Sequence, residues 1–216
     1  MGYKTIKRTA QSEFVEKKSV FIGTAKRVFT EEEAKAFVAE VRAKYRDARH
    51  HVYAYVLGED MSIQRYDDDG EPQGTGGIPI LEVIRRNELR NACVVVTRYF
   101  GGVLLGTGGL TRAYVKGAAD AIRESGVVER VQGHEVVIVM DYELLGKVQH
   151  FLNESGNKTA QLDYTDKVKM TLYLESVETE PIVERIRNIS SARAEITIGD
   201  EELFYKDHEG LQKEFE

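Results

Sequence analysis

DDDGEPQGTGGIPIL, residues 67–81, and RYFGGVLLGTGGLTRAY, residues 98–114, are the two stretches that organise the chain. Nine glycines fall between Gly70 and Gly109, nearly half of the 19 present, and each block leads into a segment with helical periodicity. Glycine tolerates positive φ and lets backbone approach a neighbour closely. A glycine-rich turn opening onto a helix aims free N–H groups and partial positive charge at whatever docks there. The two blocks therefore point to a site for something anionic.

Working outward, the flanks read as alternating elements. Residues 19–28 alternate as a strand, and Thr30 with Glu33 forms a capping box for a helix reaching about Tyr45. Residues 51–57 and 92–99 read as strands, the second a nearly continuous apolar run and so central in its sheet. A short helix is expected from Pro79 to about Leu89, a loop over 101–109, and a helix over 110–125 stopped by Gly126. The second half changes rhythm: strand 135–140, helix 142–153, strands 158–165 and 167–174, helix 180–189, strand 194–198, then a polar tail over 199–216. That β-α-β-β-α-β order is ferredoxin-like. The fold class expected is α+β, in two domains, 1–131 and 132–216.

Charge divides at the same place. Residues 1–130 carry 21 Lys and Arg against 18 Asp and Glu, whereas 131–216 carry 9 against 18, so +3 and −9 make up the net −6. The halves are thus expected to meet different partners. At 42% hydrophobic and 31% charged residues the chain reads as globular. No apolar run approaches a membrane span, and MGYKTIKRTAQSEF at the start has no secretory core. With Cys93 the sole cysteine, a disulfide framework is excluded and a cytoplasmic home is expected.

The blocks, with Ala48, His50, Tyr53, Ala54 and Tyr55 upstream, resemble the IMPACT/YigZ family. The residues that carry the likeness are Asp68 to Pro72, Gly74-Thr75, Ile80-Leu81, Arg98 to Gly102, Leu105-Gly106, Gly108 to Leu110 and Arg112 to Tyr114. It covers roughly residues 15–125. The resemblance implies a first domain of the left-handed βαβ type, shared with a small-subunit ribosomal protein, domain IV of the ribosomal translocase and small-molecule kinases. It implies a ferredoxin-like second domain similar to domain V of that translocase, elongation factor G. Two positions depart from the family pattern: Gly76 stands where Ala is common, and Asp67 adds a carboxylate where Ser or Thr is common. The added charge argues against phosphate contact at that end.

The candidate anion or nucleic-acid site comprises Arg98, Tyr99, Gly101, Gly102, Thr107, Gly108, Gly109, Thr111, Arg112 and Tyr114. Tyr99 and Tyr114 offer stacking surfaces beside the arginines, while Phe100 is expected in the core. Residues His50, Asp68, Asp69, Glu71, Gly74 and Thr75 form a supporting loop, whose carboxylates compete internally for Arg98 or Arg112. The consecutive aspartates do not match a calcium loop, so no metal is called for. His50 and His51 face opposite ways on a strand, and one of them faces the cleft, as a general base or as a hydrogen-bonded structural residue. The nucleotide-loop and dinucleotide patterns are incomplete, no nucleophile elbow exists, and no cofactor is called for.

Three functions compete. The first is a translation-associated binding protein that contacts RNA, the ribosome or a translation factor. The second is an enzyme acting on a small phosphorylated or peptide substrate in the same cleft. The third is a protein-interaction module with no anion site. The lack of a complete catalytic constellation favours the first, and the oligomeric state is left open.

Overall fold

A computed structural model describes residues 2–208 and 210–214. It is a mixed α+β chain of two compact units, one running from Tyr3 to Val128 and the other made of Gly2 and the chain from Glu129 onward.

The first unit contains β1 (Tyr3–Ile6), β2 (Ala10–Glu16), β3 (Ser19–Arg27), α1 (Glu31–Lys44), β4 (His50–Leu57), β5 (Ile63–Asp67), α2 (Gly77–Arg86), β6 (Ala92–Tyr99) and α3 (Thr107–Ser125). Its main sheet has the order β2-β3-β6-β4-β5, antiparallel throughout. The apolar run of β6 lies in the middle, as a strand buried on both faces must. On one face Val52, Ala54, Val94 and Val96 pack with Ile80 and Ile84 of α2 and Leu110, Tyr114 and Ala118 of α3. On the other, Tyr55, Cys93 and Val95 meet Phe37, Val38 and Val41 of α1. Alternation along β4 and β6 thus decides which residues face α2 and α3. The Thr30 cap forms as the sequence indicates: its hydroxyl accepts from Glu33 N–H at 3.1 Å, and Glu33 Oε2 accepts from Phe29 N–H at 2.7 Å. Gly126 ends α3 with φ +69°.

The second unit is built on β7 (Val127–Met140), α4 (Tyr142–Glu154), β8 (Thr159–Tyr164), β9 (Val168–Glu175), α5 (Ser176–Ile189), β10 (Glu195–Asp207) and β11 (Gly210–Gln212). Its sheet order is β11-β10-β7-β9-β8, with every pairing antiparallel. Leu144, Val148 and Leu152 of α4 and Ile182, Val183 and Ile186 of α5 share one core with Val136, Ile138, Met170 and Leu172.

Several boundaries differ from the expected ones. The supposed tail over 199–216 is largely strand: β10 runs to Asp207 opposite a β7 that starts well before residue 135, with an irregularity between Ile198 and Glu201. Phe204 and Tyr205 are buried there, hidden in the sequence by the carboxylates around them. Helix α3 begins at Thr107, so the loop before it ends at Gly106 and not at 109. Edge strands β2 and β5 read as polar because one side of each faces solvent. Among the described residues, no helix is long and apolar enough to cross a membrane.

Candidate functional site

Block 67–77 is a turn tied down by its own carboxylates. Asp68 Oδ2 accepts from Gly74 N–H at 2.7 Å, and its Oδ1 accepts from Gly76 and Gly77 N–H at 2.9 and 2.8 Å. Asp68 therefore closes the N-terminus of α2, whose N-cap is Gly76. Asp69, held at φ +45°, accepts at Oδ2 from His51 N–H and at Oδ1 from Arg42. Its own N–H donates to Asp67 Oδ1 at 2.6 Å. The Thr75 hydroxyl donates to Pro72 O, and Gly74 turns the chain with φ +77°. These carboxylates are occupied by backbone and arginine donors, which explains the acidic run without a cation.

Below that turn lies a buried ionic network. Glu71 is 9% exposed and Arg98 5%. Glu71 Oε1 accepts from Arg98 Nη1 at 2.7 Å and from the Tyr114 hydroxyl at 2.8 Å. Arg98 Nη2 reaches Ser19 Oγ at 3.4 Å, and that oxygen also accepts from Gly101 N–H at 3.2 Å. Burial, reinforced by the Glu71 charge, pushes the Tyr114 phenol far above its usual range, so it stays a donor. A charge pair this deep persists because the Tyr114 hydroxyl adds a second donor to the carboxylate.

His50 pairs across from Arg98 in the β4–β6 register and faces the same way. Its Nδ1 lies 2.8 Å from Asp69 O; a carbonyl only accepts, so Nδ1 carries the hydrogen and Nε2 is left facing Glu71 Oε1 at 3.9 Å. His51 points to the other face, with Nε2 donating to Tyr45 O at 3.1 Å. Burial lowers the His51 pKa below its usual value.

The second block supplies the opposite wall. Gly101 approaches the β2–β3 turn so closely that a Cβ there would lie 2.0 Å from the Lys18 carbonyl group. Lys17 and Lys18, at φ +45° and +66°, make that two-residue turn. Helix α3 opens at Gly106 with no side-chain cap and no acidic residue in its first turn. Its ladder starts with Leu110 N–H to Gly106 O, leaving Thr107, Gly108 and Gly109 N–H outside it. The two helix starts are thus unlike: α2 is closed by Asp68 and α3 is open.

Both blocks line one cleft of about 380 Å³, with His50, Gly70, Glu71 and Pro72 on one side and Leu104, Leu105, Gly106 and Thr107 on the other. Arg98 and the exposed Arg49 also border it. Not every candidate residue comes here. Tyr99 points away from Arg98, because neighbouring strand residues alternate, and Tyr114 is fully buried in the network. Tyr114 therefore offers no free stacking face. Arg112 is exposed in a separate groove of about 210 Å³ with Lys17, Lys116 and Phe14. Gly102 and Gly108 are exposed, and Thr111 is half-buried one turn into α3. Phe100, expected in the core, is 43% exposed at the cleft, with the Arg98 guanidinium 5.5 Å from its ring centre. Sequence reasoning passed over Arg49, Leu104 and Lys17. The signal for Leu104 was an apolar FGGVLL run flanked by glycines, where a core residue has no element to sit on.

The Impact N-terminal domain matches residues 17–122, a span that holds both blocks and His50. A domain of unknown function, DUF1949, matches 138–193. The IMPACT family member YvyE of Bacillus subtilis (strain 168) is 39% identical over 199 residues, covering 92% of each chain. The IMPACT family member YigZ of Escherichia coli (strain K12) is 35% identical, over 81% of this chain and 86% of that protein. A yeast protein, Protein IMPACT homolog of Saccharomyces cerevisiae, is 34% identical over 103 residues, 45% of this chain and 39% of its own. Among solved structures, a crystal structure of a hypothetical protein is 31% identical, with a TM-score of 0.59 over 93% of this chain and 98% of that one.

Proposed function

The chain belongs to the IMPACT family, and from that premise we propose that it is a translation-associated binding protein. It contacts RNA, the ribosome or a translation factor through the cleft between its glycine-rich blocks. One observation carries the reading: of the two helix starts the blocks create, only that of α3 lacks an internal cap, and it borders the cleft. Free N–H groups at a helix start favour an anion. Lys17 and Arg112 in the adjacent groove, which also holds Glu16 and the Asp120-paired Lys116, extend positive charge away from it.

We read the first unit as the left-handed βαβ fold and the second as ferredoxin-like. The order β10-β7-β9-β8 with two helices on one face supports the latter. The link from these folds to translation is analogy, since one fold hosts many functions. The domains are proposed to fold separately, and fragments cut before Glu129 keep the Lys206–Glu129 end of the β10–β7 ladder intact. A cytoplasmic location accompanies this role.

The catalytic alternative rests on His50, whose Nε2 borders the cleft beside Glu71. An enzyme on a small phosphorylated substrate predicts a compound that raises Tm at stoichiometric levels. Cosedimentation of the full chain with ribosomes at low and high salt tests the main proposal. Association that weakens steeply with salt is expected. No association at either salt defeats it.

A further inference from the structure

The walls of the cleft narrow the kind of partner. Pro72, Leu105 and Leu110 make much of its lining. Leu104 stands at its edge 82% exposed, and Phe100 beside it is 43% exposed. Side chains of this kind left in water at a concave surface mark a docking site. Apart from Glu71, the charged side chains around them are basic. Arg49 is exposed on the rim, and the open start of α3 contributes Gly106 and Thr107. Glu71 is the one carboxylate among the lining residues, and Arg98 and Tyr114 already hold it. The cleft thus offers an apolar wall, hydrogen-bond donors for an anion, and no unengaged acid.

A sugar–phosphate backbone matches this poorly, because its charged oxygens would lose water against leucine and phenylalanine. The complement is an apolar group with a carboxylate a few ångströms away. The end of a polypeptide has that form, with a carboxylate on the Cα that bears the last side chain, and backbone N–H groups are a known means of capturing it. A volume of about 380 Å³ suits one or two residues better than a folded surface.

We infer that the cleft binds the carboxyl-terminal residue of a partner protein, with the last carboxylate at the open start of α3 beside Thr107 and an apolar last side chain against Leu104, Leu105 and Phe100. This rests on the reading that the cleft is the contact site, and it makes the partner there a protein rather than an RNA.

Fluorescence anisotropy with the full chain tests it. The probes are N-terminally labelled Gly-Gly-Ser-Ala-X peptides with X as Leu, Ile, Val, Met, Phe or Lys, each as free acid and as amide. The acids ending in an apolar residue are expected to bind, and amidation or a terminal Lys to weaken them by about tenfold, ~1.4 kcal/mol. Leu104→Ser, at a position too exposed to affect folding, is expected to weaken the same peptides, and Leu104→Met to restore them. Equal binding of acid and amide overturns the inference, as does the absence of any binding below about 1 mM, a free energy of ~4 kcal/mol. If no peptide binds while ribosome cosedimentation persists, the carboxylate inference falls and the translation reading stands. If peptides bind and ribosomes do not, the terminus site stands and the translation reading falls.

Discussion

Arg98 and Glu71 are joined Nη1 to Oε1 at 2.7 Å, 27 residues apart in sequence, in a pocket where neither is more than a tenth exposed. The pair connects β6 to the acidic turn and, through Tyr114, to α3. It is the internal partner that the competing carboxylates foreshadowed, and it keeps the Arg98 guanidinium from serving as a free phosphate contact. Arg98→Ala or Glu71→Ala leaves an opposite charge buried alone, so each is expected to cost about 3–5 kcal/mol. Urea unfolding of both single variants and the double variant checks it. The double is expected to cost clearly less than the sum, since one interaction is removed twice.

Tyr114→Phe deletes only a hydroxyl. Its donor to a buried carboxylate is lost, so a destabilisation of about 1.5–3 kcal/mol is expected, with the fold unchanged. A loss below about 0.5 kcal/mol in the same measurement would place the Glu71 oxygen in contact with another donor.

Asp68 caps α2 through three N–H groups. Asp68→Ala is expected to cost about 0.5–2 kcal/mol, whereas Asp68→Asn, which keeps an accepting oxygen, costs less. Thermal unfolding of the two variants decides it. The comparison also separates capping from metal binding, because only a metal site would make wild-type Tm respond to chelator.

The His51 ring is buried and its pKa lies below the usual 6.5, chiefly from burial, with the hydrogen bond to Tyr45 opposing it. Asp69 also raises it, while Arg42 and His50 lower it. The unfolded chain therefore takes up this proton more readily than the folded one. The contribution is fully present above the unfolded pKa and is lost as pH falls below it. Tm is expected to drop between pH 7.5 and 5.5, and His51→Gln to flatten that part of the profile. An unaltered slope in the variant would assign the drop to other groups.

Much of the site was legible because its chemistry is concentrated in the two blocks. Glycines with helical segments behind them located the cleft, and the carboxylates beside Arg98 announced an internal pair. The face each residue takes was less well read. Tyr99 follows Arg98 on a strand and so must point away, a constraint that overrides its aromatic character. Phe100 was assigned to the core by hydrophobicity alone, although β6 ends at Tyr99. The start of α3 was missed because glycine is a weak helix former, and Thr107-Gly108-Gly109 reads as loop until the ladder is seen. The long β7 and β10 were hidden because much of β10 is exposed and so gives no apolar alternation over 199–202.

The central claim is that the open start of α3 holds an anionic part of the partner, and Thr107→Glu tests it most directly. An acid in the first turn of a helix favours the fold, by about 0.3–1 kcal/mol, while its charge occupies or repels from the ligand position. Tm and ribosome cosedimentation at low salt should be measured on the same preparation. The account predicts a Tm equal to or above wild type together with loss of association. Association at the wild-type level in a stable Thr107→Glu protein would contradict it.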